Sequence, residues 1–221
     1  AVPTTVDPDT ELSAVNTILG AIGQAPVTTL EYDADTDTGA FENPEISFIY
    51  NLFKECNIDI QNEGWHFNKE EYVKMSPDSN KEIVIGSNIL RMDFHDAGNR
   101  EHNLIIKSDN GVKKLYDKLQ VNSTTQTPYE FDDDVYVNVV YLYEFTDLPS
   151  VFQRYITYKA AVRAATQLVG NQTLVQLLTL QAENARASCM EYECNQGDHS
   201  FFGPPRDHTY QSFKPYISLR R

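Results

Sequence analysis

A predicted helical hairpin sets the architecture of the chain, and its sequence, residues 148–194, reads LPSVFQRYITYKAAVRAATQLVGNQTLVQLLTLQAENARASCMEYEC. Leu148-Pro149 opens the first helix, since proline suits a first helical turn. Gly170-Asn171 separates the two helices, because glycine can end one helix and asparagine can cap the next. The predicted buried stripes are Phe152, Tyr155, Ile156, Val162, Ala165 and Val169 in the first helix, and Leu174, Leu177, Leu178, Ala182 and Ala185 in the second.

Two more helices are predicted near the beginning of the sequence, and the hairpin needs such partners because neither of its helices can bury a stripe alone. The first begins at Glu11 and ends at Gly23-Gln24-Ala25-Pro26. The second begins at Pro44 and ends at Gly64. Their predicted apolar faces are Leu12, Val15, Ile18, Leu19 and Ile22, and Ile46, Ile49, Phe53, Cys56 and Ile60.

From Glu70 the periodicity changes to that of β-strands. Short apolar runs between turn residues are read as strands, at 72–75, 83–85, 89–94, 104–106 and 112–116. Asp109-Asn110-Gly111 predicts a hairpin turn, because Asn-Gly tolerates positive φ. A last strand is predicted from Val135 to Phe145. Val140 and Leu142 make it apolar on both faces, so it is buried on both sides or meets a neighbouring subunit.

The predicted fold class is α+β, a four-helix bundle with an inserted antiparallel β lobe and an extended C-terminal tail. Residues 11–67 and 147–194 form the discontinuous bundle, and residues 68–146 form the β lobe. Residues 1–10 are expected to be a mobile arm, and the acidic residues from 31 to 43 a solvated loop.

Composition restricts the class of protein. The 221 residues carry a net charge of -14, with pI near 4.7, so surface charge does not favour binding to nucleic acid. An acidic wall could still surround DNA without binding it. The sequence shows no apolar run of the roughly 20 residues that span a membrane and no opening signal peptide, so no membrane association is expected. Three cysteines make no disulfide framework, which suggests folding in a reducing compartment.

The last residues, 195–221, combine aromatic side chains with positive charge on an acidic chain. Prolines forbid a long helix there, and the aromatics need a surface that buries them. The predicted partner-docking residues are Phe201, Phe202, Arg206, Tyr210, Phe213, Lys214, Tyr216, Arg220 and Arg221. The segment either docks on another chain or folds back on its own domain.

The usual catalytic signatures are missing, and no cofactor is predicted. The sequence contains no phosphate-binding loop, no His-Glu-x-x-His and no Gly-x-Ser-x-Gly. Cys189, Cys194 and His199 match no zinc-site spacing, so no metal site is predicted. His95 and His102 lie in a polar segment and are expected to be solvated.

One enzymatic alternative is a glycan hydrolase built on carboxylates. Two carboxylates across a groove can cleave a glycosidic bond, one as acid and the other as nucleophile or base. Consecutive aspartates before a strand are more typical of an acidic turn. The candidate residues are Glu130, Asp132, Asp133, Asp134 and Glu144. A monomeric binding module with its tail buried on its own domain is a third alternative.

Several segments, in the same order, resemble tail tubular protein A, the adaptor of short-tailed, podovirus-type bacteriophages. Residues 11–16 and 23–31 resemble its opening, and residues 64–70 the segment after its second helix. Leu148-Pro149 and residues 189–193 match the start of the third helix and the end of the fourth. The acidic segment at 33–43 and the residues after Cys194 depart from the family pattern.

The resemblance implies a structural virion protein rather than an enzyme, with the helical bundle and β lobe described above. It implies a ring, expected to hold twelve subunits, between the portal protein and the tubular tail nozzle, with tail fibres as further partners. The ring would extend the DNA exit channel and help to retain packaged DNA. It would be assembled in the host cytoplasm. The aromatic and basic composition of residues 201–221, rather than the resemblance, leads us to expect that this segment orders on the portal.

Overall fold

A computed structural model describes residues 10–30, 43–94, 102–122 and 127–197. The chain is α+β, as predicted, with helices near both ends and antiparallel strands between them. It divides into two compact units. The first unit takes its described residues from Ala1–Ile60 and Tyr143–Gln196, and the second takes them chiefly from Gln61–Leu142. Within the described ranges, no helix is long and apolar enough to cross a membrane.

The first unit is helical. Its helices are α1, Glu11–Ala21; α2, Pro44–Gln61, whose last residue belongs to the second unit; α3, Ser150–Ala164; and α4, Gln172–Gly197. The Thr10 hydroxyl accepts a hydrogen bond from the Ser13 N–H and caps α1. The predicted bounds of α1 and α2 are therefore confirmed to within a few residues.

Helix α3 contacts each of the other three helices found in the described residues. It packs against α1. Arg163 near its end bonds Asp59 of α2 at 2.6 Å, and the Cys189 thiol of α4 lies 3.3 Å from the Val151 carbonyl oxygen. Its own buried face includes Phe152 and Ile156, both fully buried. Four residues of the predicted stripe thus lie in the core of this unit, namely Phe152, Tyr155, Ile156 and Ala165.

In the described part of the second unit there are five strands, which are β1, Lys69–Met75; β2, Ile89–Phe94; β3, Leu104–Asp109; β4, Val112–Asp117; and β5, Val135–Tyr141. Three of them form an antiparallel sheet in the order β1-β5-β2, while β3 and β4 form a two-stranded hairpin.

Central strand β5 and the β3-β4 turn follow the sequence pattern closely. Val137 and Val139 of β5 are fully buried, and Val140 on the opposite face is 3% exposed. Asn110 and Gly111 have φ of 49° and 82°, which confirms the predicted hairpin turn. Alternation and turn chemistry are local signals, so they were readable without the tertiary structure.

Two strand predictions are wrong in extent. Residues 83–85 form no strand, although the Leu115 N–H donates to the Ile83 carbonyl and Ile83 and Ile85 are buried. Within this segment only Val84 forms a bridge, an isolated one with Lys114, so no continuous strand pairing develops. Strand β5 ends at Tyr141 rather than Phe145, since Phe145 already begins a 3-10 turn that leads into α3.

Two stripe predictions in the hairpin are also wrong. Val169 is 44% exposed and Leu177 is 59% exposed, whereas both were expected in the core. Helix α4 also continues past Cys194 to Gly197. The arm at 1–9, the acidic segment at 31–42 and residues 198–221 lie outside the described residues.

Candidate functional site

The three consecutive aspartates predicted as catalytic candidates lie just before β5 in the second unit. Asp132 is paired with Lys81 at 2.6 Å, and Asp134 with Lys74 at 2.7 Å. All three aspartates are exposed, whereas the preceding Phe131 is buried in the core. Phe131 therefore anchors an acidic turn whose aspartates are exposed, and Asp132 and Asp134 each pair with a lysine.

A small cavity adjoins this turn, and its dimensions argue against a sugar-cleaving site. Its volume is about 180 Å³, and its lining includes His102, Gln120 and the three aspartates. Binding pockets for small molecules commonly measure ~300–1,000 Å³, so this cavity is small for a sugar chain.

The ionisation of Asp134 also fails to match the acid of a glycosidase. The hydrogen bond from Lys74 is the largest influence on Asp134 and lowers the pKa of its carboxyl. A glycosidase acid needs a carboxyl with a raised pKa. Glu130 accepts a hydrogen bond from the Thr127 N–H at 3.3 Å, and Glu144 belongs to the first unit. The described geometry therefore assigns no acid and nucleophile pair to the five candidates.

His102 is not a solvated loop residue, contrary to the prediction. Its Nδ1 lies 2.7 Å from a carboxylate oxygen of Asp117, whose side chain is fully buried. The other Asp117 oxygen accepts the N–H groups of Asn103 and Leu119. Asp117 thus joins the start of β3 to the 3-10 helix at Lys118–Asn122, a structural role that the sequence did not indicate.

The helical hairpin presents a different kind of site. After α3 the chain makes a π-helical turn at Ala165–Val169, in which the Gly170 N–H donates to the Ala165 carbonyl. Gly170 then adopts φ of 66°, and the Asn171 side chain accepts the Thr173 N–H. The predicted break and cap are confirmed. The wide π turn rotates the residues that follow Ala165 away from their α-helical positions, which explains why Val169 is not buried.

Residues 164–182, which we call the hairpin tip, contain no charged residue, although charged residues make up 23% of the chain. Four large aliphatic side chains are exposed there by 44–59%. These are Leu168, Val169, Leu177 and Leu180. Exposed apolar groups concentrated in one place mark an interaction surface more often than scattered ones do.

A groove between α3 and α4 lies on the same hairpin. It has a volume of about 330 Å³ and is lined by Arg154 of α3 and by Gln181, Asn184 and Ser188 of α4. The three α4 residues follow Leu177 at helical spacing, so apolar and amide groups share one exposed helix face. The tip and the groove together are a candidate contact surface that was not predicted from the sequence. The absence of charge over 164–182 was the signal available for finding it.

The predicted docking residues between Phe201 and Arg221 lie outside the described residues. His199 does as well, while Cys189 is buried and Cys194 is exposed. Burial and the hydrogen bond of Cys189 to a backbone carbonyl give that thiol a packing role in α4.

Comparison with known proteins identifies the class of molecule. No curated protein matches the chain. A family model described as "Tail tubular protein" matches residues 12–199, which include all four helices and all five strands almost completely. The chain therefore belongs to the tail tubular protein family and is a structural component of a phage tail.

Proposed function

We propose that the chain is the tail adaptor of a short-tailed phage and forms a ring, expected to be dodecameric, that joins the portal to the tail nozzle. The observation that carries this proposal is the family match over residues 12–199. The family assigns a tail role, and the ring and its position between portal and nozzle come from the resemblance of residues 11–31, 64–70 and 189–193 to the adaptor.

The acidic composition supports a channel role. With a net charge of -14, a ring of these chains would repel the DNA phosphates and let DNA pass during ejection without adhering. Head-to-tail contacts between identical chains close into a ring when the rotation allows it. We infer that function lies in such surfaces rather than in catalysis, and that assembly takes place in the host cytoplasm before incorporation into the virion.

Each part of the chain has its own role in the proposed ring. The helices of 11–67 and 147–194 act as a bundle that builds the ring, and residues 68–146 supply the β lobe of each subunit. The residues after α4, 198–221, dock on the portal through their aromatic and basic side chains, and many weak attachments act together through avidity. The nozzle and tail fibres attach to the same platform.

The test is the native mass of the purified chain, alone and mixed with portal-bearing heads. A ring of about twelve chains on the portal is the expected result. A chain that stays monomeric and does not bind portal-bearing heads would refute the adaptor role. For the tail, a chain truncated after Gly197 should lose occupancy on heads while keeping its fold, and normal occupancy would remove the docking role of residues 198–221.

A further inference from the structure

The hairpin tip is exposed on both sides of Gly170. Leu178 of α4 faces the core and is 7% exposed, whereas Leu177 and Leu180 are 59% and 56% exposed. The second helix of the hairpin therefore buries one side in its own unit and leaves an aliphatic side uncovered. The absence of charge continues through the π turn and the cap, so the entire end of the hairpin is uncharged.

This composition resembles the centre of a protein interface. Interface centres are depleted in charged residues, and the surrounding rim is polar. Arg163, with Asp59 and Glu55 at 2.6 Å and 3.8 Å, forms a charged cluster next to the start of the tip. An uncharged centre and an adjacent ion-pair cluster are the arrangement expected for a surface that another protein covers.

Charge points to a second copy of this chain as the partner. Two acidic chains repel each other wherever carboxylates meet, and like charges in contact weaken association strongly. The hairpin tip contributes no carboxylate, so an acidic neighbour can approach it. The groove contributes one charged side chain, Arg154, which is positive and attracts an acidic neighbour.

Size favours the tip and groove together. Four half-exposed aliphatic side chains cover on the order of a few hundred Å². A stable contact needs roughly 800 Å² on each partner, so the groove lined by Gln181, Asn184 and Ser188 is required as well. We propose that the hairpin tip and the groove form the surface through which one copy contacts the next in the ring. This inference rests on the proposed ring.

The experiment compares two double variants with equal changes in charge. L177E/L180E places carboxylates on the tip, and L119E/V121E places them on the second unit at positions that are 55% and 52% exposed. Native mass is measured over a concentration series, alone and with portal-bearing heads. The tip variant should raise the concentration at half assembly by at least about 100-fold, and the control by less than about threefold.

A photo-crosslinking arm identifies the partner without depending on the charge variant. The Leu180→p-benzoylphenylalanine chain, assembled and irradiated, should give a product of twice the mass of the chain. The same label at Leu119 is the control and should give no such product. A product that joins Leu180 to the portal or nozzle protein instead would overturn the assignment to a second copy.

The outcomes separate this inference from the proposed function. Rings formed equally well by L177E/L180E and by the unmodified chain overturn the contact surface and leave the adaptor role intact. An unmodified chain that forms no ring, either alone or on heads, overturns both. Rings from the control but not from the tip variant, together with the chain-to-chain crosslink, establish the surface.

Discussion

Replacing Asp117 by alanine is expected to destabilise the second unit by about 3 kcal/mol. The carboxylate is fully buried and accepts three hydrogen bonds, from His102 at 2.7 Å, Leu119 at 2.9 Å and Asn103 at 3.0 Å. Hydrogen bonds to a charged group each contribute roughly 1.5–3 kcal/mol. The sum is reduced because His102 is partly exposed and can turn to water, and because burial of the carboxylate itself costs free energy.

Asp117→Asn is the matched variant. One Asp117 oxygen, Oδ1, accepts both backbone N–H groups, and an amide oxygen can keep these two bonds in neutral form. The amide nitrogen can donate to an unprotonated His102 Nδ1. We therefore expect Asp117→Asn to cost only about 1 kcal/mol. This variant measures the loss of the charge alone, whereas Asp117→Ala also leaves the two backbone N–H groups without an acceptor.

The variants also predict a pH dependence. Burial alone would raise the pKa of Asp117, but hydrogen bonds from Asn103, His102 and Leu119 outweigh it and hold that pKa below its ordinary value of 3.8. A carboxyl with a depressed pKa in the folded state stabilises the protein above its unfolded pKa. The contribution is lost as pH falls through the folded pKa. The difference in unfolding free energy between wild type and D117N should therefore become smaller below pH 3.8.

The assay uses Trp65, the single tryptophan of the chain, which is 5% exposed and belongs to the second unit. Its fluorescence follows urea unfolding of that unit, while circular dichroism follows the helices. With a urea dependence of roughly 1–3 kcal/mol/M, D117A should lower the midpoint by about 1–3 M at pH 7. A urea midpoint that D117A leaves unchanged would refute this account of Asp117. A difference in unfolding free energy between wild type and D117N that stays constant below pH 3.8 would refute it as well.

Three further substitutions test other contacts. Asn68→Ala should lower the free energy of unfolding by about 2–4 kcal/mol, as followed by Trp65 fluorescence. The buried Asn68 amide accepts the backbone N–H of Trp65 and donates to two backbone carbonyls. The exposed Asn62→Ala is its control and should be neutral. Phe152→Ala should remove about 3–5 kcal/mol from the helical unit by circular dichroism, since the ring is fully buried, and a loss below 1 kcal/mol would contradict the assigned core. Gly111→Ala should cost about 1 kcal/mol through its φ of 82° alone, because beyond its two chain neighbours no residue lies within 4 Å of the added Cβ. An unchanged thermal midpoint would show that the turn relaxes.

Much of the fold is readable from local sequence signals. The Gly170-Asn171 break, the Asn110-Gly111 turn and the alternation of β5 depend on backbone preference or on periodicity, and the structure confirms all three. Such signals act within a few residues, so they do not depend on which elements meet.

The exposure of a side chain and the pairing of distant residues depend instead on the tertiary structure. Val169 and Leu177 have the spacing of core residues, but a π turn and the direction of α4 place them at the surface. Residues 83–85 have the composition of a strand, yet lack an extended partner. Asp117 and His102 lie fifteen positions apart, and no local rule predicts that they pair.

The features of the candidate site also fall into those set by residue identity and those set by tertiary packing. Composition by itself determined the acidic character, the absence of charge over 164–182 and the basic aromatic character of 195–221, because these depend only on residue identity. Only the tertiary structure decided that four aliphatic side chains of the hairpin tip are exposed and that Asp132 and Asp134 pair with lysines. Periodicity tells which residues share a helix face, whereas the packing of distant elements decides whether that face is covered.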